Sequence, residues 1–253
     1  MKKYLFLVLL VATHPVAAIV NMEGLHLGEP AAGLSGHVKL VLNGNTGNSK
    51  TVNSSVGGKL QLHHDRLTHF LLGDYSYGKS GDTANIDKGF FHARSIQQWQ
   101  THWATEAFAQ VQYNAFARLD YRGLLGGGLR YSPARDPKRL AFFFGLGAFH
   151  AEERLSAASG TTDALSKQSL RLNSYVVLKF RIDDRTQLLS TSYWQPDTAD
   201  MGDYQLLETL SLKIALGQHL GLGLALNISR DSRPPQSVQA TDTSYTTQIE
   251  YRF

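Results

Sequence analysis

Residues 244–253 read Ser-Tyr-Thr-Thr-Gln-Ile-Glu-Tyr-Arg-Phe, and the order of side chains in this stretch decides the fold. Tyr245, Thr247, Ile249, Tyr251 and Phe253 fall on one side of a pleated strand, and Ser244, Thr246, Gln248, Glu250 and Arg252 on the other. One face is apolar and one is polar. A helix would mix the two sets.

The same period runs back through the chain. Leu170, Leu172, Val176, Leu178, Phe180 and Ile182 alternate with Arg171, Asn173, Tyr175, Lys179 and Arg181. Tyr121, Leu125, Leu129 and Tyr131 stand opposite Arg122 and Arg130. The segment 204–228 also fits a helical stripe, but Gly217, Gly221 and Gly223 favour two strands turning at Gln218-His219. Strands are expected near 34–44, 48–63, 66–78, 84–98, 103–117, 120–132, 139–153, 167–182, 186–195, 203–216, 219–230 and 242–253, about 12 in all.

Composition limits what such a chain can be. Of 253 residues, 42% are hydrophobic and 18% charged, which excludes a disordered protein. The net charge of +4, reduced to +2 without Lys2 and Lys3, gives no reason to expect a nucleic-acid partner. With no cysteine, disulfides, thiolate metal sites and thiol catalysis are excluded.

Met1-Lys2-Lys3, the apolar run from Tyr4 to Ala12 and the small residues Val16-Ala17-Ala18 form an export signal. Thr13-His14-Pro15 interrupts the run well short of the roughly 20 residues that a spanning helix needs. The expected organisation is a cleavable signal peptide over 1–18, a short periplasmic segment over 19–33 and one domain over 34–253.

The connections are sorted by length. Short turns at His63-His64-Asp65, Gln100-Thr101-His102, Pro133 to Lys138, Asp183-Asp184 and Gln218-His219 interleave with mostly longer loops at Lys79 to Thr83, Leu155 to Ser166, Pro196 to Gly202 and Asp231 to Thr241. Leu119-Asp120 is the short exception on the long-loop side. Soluble sandwiches and lipocalin-like barrels share the alternation but have no reason to sort their loops, whereas outer-membrane barrels do. Trp99 and Trp103 flank a short turn, and Tyr75, Tyr77, Tyr193, Trp194 and Tyr204 approach the long loops, as two interfacial girdles would. Lipid offers no partner to a free strand edge. The expected fold is therefore all-β: a closed antiparallel transmembrane β-barrel in the outer membrane of a Gram-negative bacterium, its apolar face meeting lipid and lipopolysaccharide.

Gly44-Asn45-Thr46-Gly47-Asn48-Ser49, Leu125-Gly126-Gly127-Gly128-Leu129-Arg130-Tyr131 and the ending Tyr251-Arg252-Phe253 together resemble the YdiY-like salt-induced outer membrane proteins over roughly 34–253. That family commonly carries aspartate where this chain has Asn48. The resemblance implies an outer-membrane barrel of largely unassigned function, linked to envelope or salt stress. Tyr251 and Phe253 resemble the signal by which the barrel-assembly machinery recognises a last strand.

Motifs of chemistry are absent: no Gly-x-Ser-x-Gly elbow, no His-Glu-x-x-His helix, no calcium loop. His63-His64-Asp65 sits on a turn, and His150 with Glu152 shares one strand face. Gly221-Leu222-Gly223 lacks the third glycine and the strand-to-helix setting of a dinucleotide site, and the strand glycines mark bends or places where a large neighbour covers the backbone. No metal, cofactor or enzymatic activity is expected, and a lipid-modifying enzyme is the outlying alternative.

The polar face turned inward places Lys39, Lys59, Arg122, Arg130, Arg171, Lys179, Arg181, Lys213 and Arg252 in the lumen against Asp74, Glu106 and Glu250. An excess of positive charge would favour small anionic solutes in a water-filled interior. The expectation is a narrow or gated porin-like channel with weak anion preference. The alternative is a structural or surface-interaction barrel whose interior side chains pair and fill it.

Overall fold

The computed structural model describes residues 32–46, 50–136, 139–217 and 220–251. They form one antiparallel sheet of 12 strands in sequence order. The strands are β1 (Gly33–Asn45), β2 (Thr51–His64), β3 (Leu67–Ser80), β4 (Thr83–Gln98), β5 (Trp103–Asn114), β6 (Leu119–Asp136), β7 (Leu140–Leu155), β8 (Ser166–Arg181), β9 (Thr186–Pro196), β10 (Tyr204–Ala215), β11 (Leu220–Asp231) and β12 (Thr241–Tyr251). Among the described residues, no helix is long and apolar enough to cross a membrane, which says nothing of strands. The expected signal peptide, residues 19–31 of the expected periplasmic segment, Arg252 and Phe253 lie outside the described residues.

Alternation sets the two faces. On β5, exposed and buried residues alternate from Trp103 to Asn114, with Ala104, Glu106, Phe108, Gln110 and Gln112 turned inward. On β8, Arg171, Asn173, Tyr175 and Val177 are buried while Leu170 and Val176 are exposed. Leu34, Val38, Leu40, Leu42, Leu125, Leu146 and Tyr245 lie on the outer face. The sheet is thus greasy outside and mixed inside, the reverse of a soluble barrel.

The sheet curls until distant strands meet. Arg122 on β6 donates to Gln205 on β10 at 2.7 Å, and Lys88 on β4 feels the charges of Asp74 on β3 and Asp242 on β12. The closed cylinder expected from the sequence goes further than this. All described pairs of β12 are with β11, and among the described residues no ladder joins β1 to β12.

Several local expectations change. The strand expected over 103–117 stops at Asn114, whose side chain accepts from the Phe116 amide and opens a 3-10 turn, Ala115–Ala117, that ends at left-handed Arg118 (φ 56°). The short link expected at Leu119-Asp120 therefore lies earlier, and Leu119 already pairs with Asn114 and Leu155. The supposed loop Lys79 to Thr83 is a tight hairpin, because Gly81 takes φ 61° and lets β3 and β4 pair to Ser80 and Thr83. Tyr193, expected in the outer girdle, is buried against Tyr175 with ring centroids 5.4 Å apart. Trp194, one residue on, takes the exposed position. At the opposite end Trp99, Trp103 and Tyr131 stack in series.

The outer face also carries a carboxylate. Glu208 on β10 accepts hydrogen bonds from the Ser190 and Ser192 hydroxyls of β9. All three residues are half-buried.

Candidate functional site

The interior is organised in levels from the long-loop end to the short-turn end. At the long-loop end Arg118, nearly buried, gathers two loops. Its guanidinium donates to Asp163 at 2.6 Å, to the Ser156 carbonyl at 3.0 and 3.2 Å, and to Thr161 at 3.1 Å, all on the 156–165 loop. It also donates to the Gln236 carbonyl at 2.8 Å, on the 232–240 loop. Gln236 in turn donates its backbone amide to Asp163 at 3.2 Å and its side-chain amide to Thr162 at 3.1 Å. The Arg118 guanidinium holds the Asp163 carboxyl below the usual carboxylate range.

Beneath this latch is a cavity of about 310 Å³. Pro234, Pro235 and Val238 of the 232–240 loop cover one side, and strands β3 to β7 and β10 to β12 supply the walls. Its ionisable lining is Asp74, Glu153, Asp231 and Asp242 against Lys88 and Arg122. Arg122, 1% exposed, lies 3.0 Å from Glu153. Beside the cavity, Arg171 donates to Asp203 at 2.7 Å and Lys167 to the same carboxylate at 2.5 Å. Burial opposes ionisation of Asp203, but the Lys167 and Arg171 hydrogen bonds outweigh it and hold the carboxyl below its usual range.

Midway down, the passage is filled. Arg94 and Glu106 approach at 3.6 Å with both side chains buried. Tyr175 donates to Glu106 at 3.0 Å, and Arg130 donates to the Tyr175 hydroxyl at 3.4 Å while covering the Phe143 ring at 4.3 Å. Next to them His92 pairs with Gln110 at 2.9 Å, and Gln110 with Gln112 at 2.5 Å. Phe70, Phe108, Phe149 and Leu207 pack the remaining inward space. Tyr175 can lie flat against the wall because Gly145 has no side chain; a Cβ there would collide with the ring. Toward the short-turn end Lys179 feels the charges of Arg181 and Lys213.

The sequence-predicted lumen residues are therefore dispersed over these levels. Arg122, Arg171 and Asp74 belong to the upper part, Arg130 and Glu106 to the filled middle, and Lys179, Arg181 and Lys213 to the turn end. Lys59 lies 5.1 Å from the Phe70 ring centroid. Lys39, Glu250 and Tyr251 lie on β1 and β12 with side chains outside the described set, as Arg252 and Phe253 are entirely. The positive excess expected of the lumen is unevenly spread: carboxylates outnumber bases in the cavity lining under the loops, and bases gather at the turns. Arg94, Lys88, Glu153, Asp203, Asp231 and Asp242 supply the partners that the sequence reading missed. Extending the alternation past His150 and Glu152 would have placed Glu153 inward, opposite Arg122 in the β6–β7 ladder.

His150 is exposed and Glu152 is half-buried, bound to Arg154 at 2.7 Å. His64 and Asp65 are exposed. Among the described residues no group of three or more His, Cys, Asp or Glu could hold a metal ion.

A family model described as a protein of unknown function, DUF481, matches residues 38–253. No curated protein matches the sequence. Among solved structures, the NanC porin in a rhombohedral crystal form is similar at a TM-score of 0.48 and 7% identity, covering 87% of this chain and 98% of that one. The translocator domain of the autotransporter NalP from Neisseria meningitidis is similar at a TM-score of 0.42 and 12% identity, covering 91% and 92%.

Proposed function

The chain belongs to the DUF481 family of proteins of unknown function, and we propose that it is an outer-membrane β-barrel, sealed between β1 and β12, that forms a gated, porin-like path for small solutes without enzymatic activity. The observation that carries this reading is a loop-capped cavity of about 310 Å³ standing over a side-chain-filled level at Arg94, Glu106, Tyr175 and Arg130. A greasy outer face supports burial in lipid, and lipid would require the strand edges to meet. The likeness to YdiY-like proteins ties the path to envelope or salt stress within the same proposal.

Buried ion pairs suit a gate. They hold firmly when complete, and loss of one partner is strongly destabilising. The anion preference expected from the sequence is not retained, because the cavity lining carries more carboxylates than bases.

Planar-bilayer conductance tests the reading. The native chain should show rare, small openings, and a variant with Arg94→Ala and Glu106→Ala together should raise open time about tenfold. Flat traces from both would end it. They would favour the second reading, a barrel that conducts nothing, which the inward packing of Phe70, Phe108, Phe149 and Tyr193 supports.

A further inference from the structure

We propose that the cavity beneath the 232–240 loop binds a small, polyhydroxylated organic cation, an amine-bearing sugar or polyol. This names the solute class of the gated path and rests on that reading for its physiological use, though not for its test.

Charge selects the class. Arg122 lies against Glu153 and Gln205 and also feels the charge of Asp231, so four carboxylates, Asp74, Glu153, Asp231 and Asp242, stand against two bases, Arg122 and Lys88. A carboxylate or phosphate entering this space would meet an excess of like charge, whereas an ammonium group would balance it.

Hydrogen bonding supplies a second, independent sign. Thr209 lines the cavity at 8% exposure, and its hydroxyl has no hydrogen-bond partner among the described residues. A buried hydroxyl left unmade costs free energy that a ligand hydroxyl would recover. Asn227, Ser229 and Ser244 line the same space and can each donate and accept. Such a set suits a ligand whose hydroxyls do both. The Phe90 ring, also in the lining, offers an apolar face to a ring's C–H surface or to the cation. The volume is at the small end for ligand sites and suits one sugar-sized molecule.

The test is isothermal titration of the full chain, folded in detergent micelles at low salt, with glucosamine, glucose and glucuronate. Glucosamine should bind about tenfold more tightly than glucose, and glucuronate more weakly than either. Asp74→Asn with Asp242→Asn should abolish the preference for glucosamine. Thr209→Val, which keeps the side-chain shape, should weaken glucosamine and glucose alike, and serves where the double variant does not fold. Equal affinity for glucosamine and glucose, no binding of either, or preference for glucuronate would overturn the proposal. Micelles contain no transmembrane path, so a flat bilayer trace would defeat the gate and leave this outcome untouched.

Discussion

Tyr175 on β8 donates its hydroxyl to Glu106 on β5 at 3.0 Å, a bond that reaches past the two strands between them. It ties the filled level together at a point where Arg94 and Arg130 both converge. Tyr175→Phe removes the hydroxyl that donates to Glu106 and accepts from Arg130 and should cost about 1.5 kcal/mol. Glu106→Ala removes the carboxylate at the centre of the group and should cost about 3 kcal/mol. Denaturant unfolding in micelles, followed by tryptophan fluorescence, measures both. Equal losses for the two variants would contradict a central role for the carboxylate.

Gly145→Ala tests the same level from the wall side. A methyl group at Gly145 collides with the Tyr175 ring, which must move and give up its bond to Glu106. The expected loss is about 2 kcal/mol, in the range of an overpacked core. In Tyr175→Ala, where the ring is gone, Gly145→Ala should cost almost nothing further. Additive losses would show that the glycine matters for another reason.

Arg118→Ala should free the loops without unpairing strands. The guanidinium makes its bonds to 156–163 and to Gln236, so its removal loosens the 232–240 segment, which keeps the Gln236 bonds to Asp163 and Thr162. Limited proteolysis within 232–240 should quicken about tenfold, as expected for a segment moved to the low end of local stability. The gel-shift of the folded barrel should stay the same. Unchanged cleavage would show that other contacts hold the cover.

Acid should open the same latch. Asp163 in the latch, and Asp203 beside the cavity, are held below the usual carboxylate range when folded, so their contribution is complete above the unfolded value of about 3.9 and is lost as pH falls through the lower folded values. Protease sensitivity at 232–240 should be flat between about pH 7 and 5 and rise only below about pH 4. A rise near pH 6 would point to a histidine instead.

Glu208→Leu should stabilise the protein in lipid by about 1 kcal/mol, because it removes a carboxylate from the outer face. The midpoint of heat modification on gels reads the change. A loss of stability would mean that Glu208, with Ser190 and Ser192, meets something other than acyl chains.

Much of the architecture was legible because period two is a short-range property of the chain. Arg171, Asn173, Tyr175 and Lys179 could be put on one face from spacing alone, and the structure keeps them there. The ambiguous 204–228 segment resolved into β10 and β11 because glycines at 217, 221 and 223 spoil a helix. Charge partners were not legible. Glu106 and Tyr175 are 69 residues apart, and which carboxylate neutralises which arginine depends on the curl of the sheet and on loops such as the one carrying Asp203. Tyr193 and Trp194 show the other limit: adjacent aromatics point opposite ways, and only register says which is inside. The latch at Arg118 was hidden because it begins in a left-handed residue after a 3-10 turn, where alternation stops.

Every described strand lies beside the one made just before it. Each hairpin can therefore be added to the growing edge as it arrives, with no strand threaded between two already joined. Contacts of this kind are local in sequence and quick to form. Under the closure proposed above, what is left for last would be one union across the whole length of the chain, and the slow event in making this molecule should then be the meeting of its two ends.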